Sequence, residues 1–410
     1  MNDQMKQMIQ QTEQSLTKQF SQVQEIVTTN QEKVLNAFQQ VHVSESHFTP
    51  STGYGYDDIG REKLEELYAT VFRTEDALVR PQIVSGTHAI TTCLFGVLRP
   101  GDELLYLTGR PYDTLEDVIG IEENVDGSLR DYGILYNELP LTESGSVDFS
   151  NLEESINDRT KMVAIQRSKG YADRPSFTVM EIKEMIDEVR KIKPDAIIFI
   201  DNCYGEFVEI YEPSEVGADL MAGSLIKNPG AGIAKTGGYI VGKEKLVNKC
   251  ANWLVAPGLG KETGASLYSL HEMFQGFFLA PHVVGEALKG AYFTSQLLSD
   301  HGYKTEPTAN DARTDLIQSI SFHRAEEMIQ FAQMIQKQSP IDSYVTPEPS
   351  SMPGYEDDVI MAGGTFIQGA SLELTADGPI REPYTLYVQG GLTYEHVKLA
   401  IVKSVIALNK

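Results

Sequence analysis

The sequence predicts an α/β fold: a mostly parallel sheet with helices on both faces, followed by a smaller α+β unit. Three observations carry this. The 410 residues exceed one ordinary core and suffice for two. From about residue 79 to 245, seven short apolar runs alternate with amphipathic helical patterns, as in a parallel sheet buried on both faces. From residue 301 that alternation stops.

The elements follow in chain order. Residues 1–40 are polar and glutamine-rich, but Ile26, Val27, Val34, Leu35 and Phe38 recur at helical spacing. They predict one N-terminal helix that needs a surface to cover it. A Gly- and Tyr-rich loop, HFTPSTGYGYDDIG, leads to a helix at REKLEELYATVF. The seven strand candidates are RPQIVSG, DELLYL, GILYNEL, KMVAIQ, AIIFIDN, LMAGS and GGYIVG. In FTVMEIKEMIDEVRKIKP, Val179, Ile182, Ile186 and Val189 line one helical face and Pro194 marks the stop. Residues 247–300 read as helical. A helix near 323–337, a loop at TPEPSSMPGYEDD, strands at SLELT and YTLYV, and a last helix through IVKSVIALN complete the chain. The expected divisions are 1–60 for the N-terminal helix and loop, 61–300 for the large domain and 301–410 for the small one.

Composition narrows the function. The net charge of −24 repels phosphate backbones and anionic lipids, so neither nucleic acid nor a membrane surface is expected as partner. Cys93, Cys203 and Cys250 have no paired spacing, which predicts neither a disulfide framework nor a metal site. The first 40 residues lack the apolar run of a signal peptide, and no stretch of about 18 apolar residues occurs. A reducing cytoplasm is the expected location.

Ligands of open α/β sheets bind beyond the carboxyl ends of the strands. In QIVSGTHAITTCLFGVL a strand is expected to end at Val84, with Ser85, Gly86 and Thr87 turning into a helix. Free amides at that helix start, two hydroxyls and a glycine suit a phosphate. The same serine also reads as an ordinary N-cap. In AIIFIDN, Asp201 ends a strand, either as a turn residue or as a carboxylate for a cationic ring nitrogen. Lys227 follows LMAGSLI and precedes a glycine loop, with Ser224 three residues before it. Most lysines are solvated. This one stands in an apolar setting, where desolvation is expected to lower its pKa and favour Schiff-base chemistry. The stretch PGAGIAKTGG looks like a nucleotide loop around Lys235, but Pro229 and Ala234 stand where that loop needs glycine, and a strand follows where it needs a helix.

Phosphate turn, aspartate and lysine, with Asp201 and Lys227 26 residues apart, resemble the fold-type-I pyridoxal-phosphate (PLP) enzymes. More narrowly, the chain is similar to the cysteine/methionine-metabolism group, which includes cystathionine lyases and methionine γ-lyase. Within that group it resembles a bacterial methionine-γ-lyase-like or aluminium-resistance family, on TGYGYDDIGR, VSGTHAI, IDNCYGEF, SLIKNPGAG and YVQGGLT, over roughly residues 45–400. The resemblance implies a PLP-dependent transferase fold in which Lys227 forms the internal aldimine and Asp201 keeps the pyridine nitrogen protonated. Ser85, Gly86, Thr87 and Ser224 would hold the phosphate. Tyr112, in GRPYDTL, stands where the group stacks a tyrosine on the cofactor and uses it in catalysis. His88 is a second stacking candidate, and equally a solvent-facing histidine at a helix start. Tyr54 and Tyr56 match a loop that reaches the neighbouring subunit's site, which implies a homodimer or homotetramer with shared active sites and a catalytic part for Tyr56.

Two departures stand out. Tyr56 is followed by Asp57 and Asp58, where relatives often carry a phosphate-binding arginine. The strand TLYVQGG lacks the arginine that binds the substrate carboxylate in many relatives. Arg381 is the nearest replacement, ahead of Arg313 and Arg174; a bidentate fork is what a carboxylate calls for. The resemblance implies a carbon–sulfur lyase for methionine, cystathionine or a cysteine derivative, working by β- or γ-elimination. The alternatives are other PLP chemistry (racemisation, aldol cleavage, transamination) or a non-catalytic PLP-binding protein.

Overall fold

The computed structural model describes residues 1–122, 125–172, 174–352 and 357–408. Its centre is a seven-stranded mixed sheet built from β1 (Asp76–Arg80), β2 (Glu103–Tyr106), β3 (Leu135–Glu138), β4 (Thr160–Gln166), β5 (Ile197–Asp201), β6 (Leu220–Ser224) and β7 (Gly238–Gly242). The order is β1-β7-β6-β5-β4-β2-β3, and only β7 runs against the others. Period-2 alternation sends Val163, Ile165, Ile198, Ile200 and Met221 to one core, and Met162, Ala164, Phe199, Leu220 and Ala222 to the other. Helices Gly86–Val97 and Glu244–Leu254 cover the second face. Helices Ile59–Val71, Val179–Ile192 and Leu270–Asp300 cover the first. Burial on both faces is why these strands read as continuous apolar runs.

The chain steps from β2 outward to β3 at the edge and then back past β2 to β4. The order therefore reverses between β2 and β4, and the loops after both strands open into one crevice.

A second, antiparallel sheet follows: β8 (Lys304–Glu306), β9 (Ile317–Ser321), β10 (Val359–Ala362), β11 (Thr375–Pro379) and β12 (Thr385–Gln389), in the order β10-β11-β12-β9-β8. Helices Ala325–Gln338 and Tyr394–Leu408 pack Phe331, Ile335 and Ile401 with Ile320, Leu386 and Val388. The alternate residues Ser319, Tyr387, Gln389 and Asp377 point the other way, toward the first sheet. Among the described residues, no helix is long and apolar enough to cross a membrane.

Several expectations need correction. The N-terminal segment is two helices, Asp3–Ser15 and Thr17–Gln40, parted at Leu16. Their cover comes from the chain itself. Phe38 packs edge-on against Phe278 at 5.7 Å, and Val27 presses on Gly285, where a Cβ would lie 2.2 Å from its Cγ2. The first strand ends at Arg80, because Pro81 has no N–H to continue the ladder, and Val84 is left exposed. The helical stretch after 247 is broken over 255–269 by Pro257, Gly258 and Gly260. The strand expected at SLELT lies instead at Thr375–Pro379, and the Glu373 carboxylate before it accepts hydrogen bonds from the backbone N–H groups of Phe366 and Ile367. Residues 353–356 of the expected Pro/Gly/Ser loop lie outside the described residues.

Candidate active site

A cavity of about 600 Å³ lies between the two sheets, at the carboxyl ends of β4, β5 and β6. Each strand end delivers one group to it. Helix Gly86–Val97 begins there too, with Ser85 in extended backbone and its Oγ accepting from the His88 N–H at 3.0 Å. The capping reading of Ser85 is therefore realised, and the Gly86 and Thr87 amides at the helix start remain for a ligand. A Cβ on Gly86 would sit 3.0 Å from Cys203 Sγ, 3.5 Å from Ser224 Cβ and 3.7 Å from Lys227 Nζ. Glycine leaves that space open. Ser224 Oγ is buried and has no hydrogen-bond partner among the described residues. Such an orphan costs about 1–3 kcal/mol unless something fills the site.

Asp201 closes β5 with 5% exposure. Its Oδ1 accepts from the Cys203 N–H at 3.1 Å, and it makes no ion pair among the described residues. Burial pushes its carboxyl up against the pull of Lys227, so it gains from a cationic partner. The Lys227 ammonium lies 4.1 Å from the centre of the Tyr204 ring. Burial pulls its pKa down, but Cys203, Tyr204, Asp201 and Tyr112 together hold it above the ordinary lysine value. This corrects the expectation of a lowered pKa: the desolvation is present and outweighed.

Tyr112 Oη shares a hydrogen bond with Thr87 Oγ1 at 3.0 Å, and the Tyr112 N–H donates to Gln166 Oε1 at 3.2 Å. Burial raises its phenol well above the ordinary value, so it holds its proton at neutral pH. Ser85, Gly86, Thr87, Tyr112, Asp201, Ser224, Lys227 and Arg381 all line the one cavity. Among the described residues, no group of three His, Cys, Asp or Glu is arranged to hold a metal.

The other candidates are placed elsewhere. His88 does not line the cavity; its Nδ1 accepts from the Val84 N–H at 3.2 Å. Tyr54 and Tyr56 stack on each other at 5.4 Å on the surface, exposed by 71% and 54%. Their loop is held firmly, because buried Arg61 donates to the Gly55 and Gly264 carbonyls at 2.6 and 2.9 Å. Arg174 donates to the carbonyls of Gln166 and Ser168 and pins the loop after β4. Arg313 is buried over Tyr292 and donates to Ala291 O and Gln318. Arg381 alone of the three arginines lines this cavity.

Sequence reasoning missed Tyr204, Lys169, Asp377, Tyr387 and Gln389, which also line it. Lys169 follows β4 and is visible in hindsight as another strand-end residue. Tyr204 owes its place to a left-handed backbone at φ 73°, which no sequence pattern announces. Behind the floor, Arg167 donates to Asn202 Oδ1 at 2.9 Å, to Glu209 at 2.7 Å and to Thr314 Oγ1 at 3.1 Å, tying the ends of β4 and β5 to the segment that leads into β9. Glu206 is fully buried against Gly223, with Oε1 accepting from Tyr239 Oη at 2.8 Å and Oε2 unpartnered among the described residues. Burial pushes its carboxyl up to about 8.

Comparison with known proteins identifies the family. The sequence profile described as methionine gamma-lyase matches residues 5–409. The uncharacterized protein YnbB of Bacillus subtilis is 61% identical over 389 residues, covering 94% of this chain and 92% of that one. A crystal structure from Listeria monocytogenes, described as a candidate cystathionine beta-lyase involved in aluminum resistance, superposes with TM-score 0.97 at 61% identity, covering 98% of this chain and 100% of that one. One from Clostridium novyi, described as a carbon-sulfur lyase involved in aluminum resistance, gives TM-score 0.94 at 47% identity, covering 98% and 96%. With a profile matched from end to end and a fold that superposes along nearly its whole length, the chain belongs to the methionine gamma-lyase family.

Proposed function

We propose that this protein is a pyridoxal-phosphate-dependent carbon–sulfur lyase that cleaves a sulfur amino acid by β- or γ-elimination. One observation carries the reading: Asp201, Ser224 and Lys227, from the ends of adjacent strands, open into one cavity beside the free helix start at Gly86.

The residues fit the cofactor. The orphaned Ser224 Oγ and the Gly86 and Thr87 amides would hold its phosphate, the unpaired Asp201 its ring nitrogen, Tyr112 its ring face, and Lys227 Nζ its aldehyde carbon. When bound, it supplies an electron sink for the charge left on Cα after deprotonation. The chain does the rest. Lys227 Nζ, as the neutral amine, would take the Cα proton and hold it within the cavity. The Tyr112 phenol keeps its proton at neutral pH and delivers it from Oη to the departing sulfur. Arg381 offers a planar fork to the substrate carboxylate. The walls of two sheets exclude water and strengthen each of these interactions.

The site is completed by a second copy of the chain. Tyr54, Tyr56, Val84, Leu267 and Tyr268 are exposed on segments bonded to one another, through Gly264 N–H to Tyr54 O at 2.8 Å and Leu267 N–H to Ser51 O at 3.1 Å. A symmetric contact would cover this patch and deliver Tyr56 to the partner's cavity. The minimal active unit is then a homodimer, or a tetramer made of two. The three cysteines are free thiols, which suits a reducing cytoplasm.

The test is spectroscopic. Protein purified with the cofactor is yellow, and Lys227→Ala removes the visible band. Lys235→Ala keeps it, because that exposed lysine pairs with Glu272. Loss of the band in Lys235→Ala and its persistence in Lys227→Ala would refute the assignment.

A further inference from the structure

The small sheet contributes a carboxyl that the proposed chemistry leaves unused. Asp377 sits on β11, the strand between β10 and β12, directly opposite Tyr387. Aspartate is depleted in strands. Here it is 6% exposed and turned to the cavity side. Gln389 holds it, with Nε2 donating to Oδ1 at 3.1 Å. Among the described residues no cation pairs with it, and burial pushes its carboxyl up to about 7. The cavity's lysines and arginines face other groups: Lys227 lies on Tyr204, Lys169 donates to Ser319 Oγ at 3.3 Å, Arg110 pairs with Glu116 at 2.7 Å, and Arg381 pairs with Asp357 at 3.4 Å.

A carboxyl built into a ligand cavity without a cation of its own obtains one from the ligand. The wall around it is polar as well, with Gln389, Tyr387 and Ser319 on the same sheet face. A plain alkyl leaving group, such as methanethiol from methionine, would bring no cation to Asp377.

We propose that Asp377, held by Gln389, is a specificity-determining residue that binds a second ammonium group on the departing half of the substrate. The preferred substrate class is then a two-headed thioether amino acid, with an amino group on each side of the sulfur. This rests on the lyase reading above and deepens it. Asp377 takes no part in the bond cleavage. It fixes the half of the molecule that leaves.

The experiment uses the cofactor-loaded enzyme and matched substrates. Cystathionine is compared with its two deaminated analogues, S-(3-carboxypropyl)-L-cysteine and S-(2-carboxyethyl)-L-homocysteine, by release of 2-oxo acid. The wild type is expected to favour cystathionine by about 10- to 100-fold in kcat/KM, mostly through KM, as one charge-assisted hydrogen bond provides. Asp377→Asn should bring the ratio to within about threefold, with the loss falling on KM for cystathionine. A wild type that cleaves an analogue as well as cystathionine overturns the proposal without any variant. So does Asp377→Asn if it slows all substrates equally. Failure of every substrate to react removes the lyase reading and this inference together, whereas turnover without discrimination removes only this one.

Discussion

Glu206 allows a stability prediction worked directly from the structure. It is fully buried, half satisfied by Tyr239, and raised by burial from its ordinary 4.5 to about 8. Its folded pKa lies above its unfolded one, so between those values the folded state keeps a proton that the unfolded chain has released. Its contribution is complete below the unfolded pKa and declines as pH rises, at about 1.4 kcal/mol per pH unit, until the folded pKa is reached. Over the whole window this amounts to roughly 5 kcal/mol. Glu206→Gln keeps the shape and the acceptor for Tyr239 but cannot ionise. Relative to wild type, the variant should gain roughly 3 kcal/mol between about pH 5.5 and about pH 8. The lower limit stays above the isoelectric point of 4.7, where the chain is poorly soluble. The assay is urea unfolding of cofactor-free protein at fixed ionic strength and protein concentration, with the slope m checked at each pH. Parallel pH profiles for the two proteins would show that the Glu206 carboxyl is already ionised in the folded chain, and the argument from burial would fail.

Two further outcomes bear on the site and the assembly. Asp201→Asn should retain the visible band and lose about 10²- to 10⁴-fold in kcat, because the negative charge rather than the side-chain volume supports the ring nitrogen; near-normal turnover would exclude Asp201 from the chemistry. Equal amounts of the inactive variants Lys227→Ala and Tyr56→Phe, dissociated and reassembled together, should recover about a quarter of wild-type activity, since half of the dimers are mixed and each of these has one complete site. A fully active monomer in sedimentation would contradict the shared site.

Where the sequence was readable, a physical constraint had left a mark on it. AIIFIDN and LMAGS open on apolar runs because helices cover both faces of β5 and β6, and the first polar residue at each strand end is the one that meets the cavity. The opposite wall was hidden for equally physical reasons. In Thr-Ala-Asp-Gly-Pro, the composition of a turn occupies β11, because tertiary pairing with β10 and β12 overrides local preference. Three-residue β8 is too short to show alternation. The apolar stripe of Thr17–Gln40 was legible, but its cover was not, since Leu270–Asp300 lies about 250 residues away in sequence and only folding brings the two together.

The two walls of the cavity have consequences for how such an enzyme can diversify. Everything that would retain the cofactor comes from strand ends and a helix start of the first sheet, whereas Asp377, Tyr387 and Gln389 come from the second. Arg167 fastens the two together through Asn202 and Thr314, so neither wall depends on the contents of the cavity for its position. Side chains on one face of β11 and β12 can therefore be exchanged by single substitutions without disturbing Lys227 or Asp201. The reactive end of such a molecule can stay constant through descent while the range of compounds it accepts drifts, one strand residue at a time.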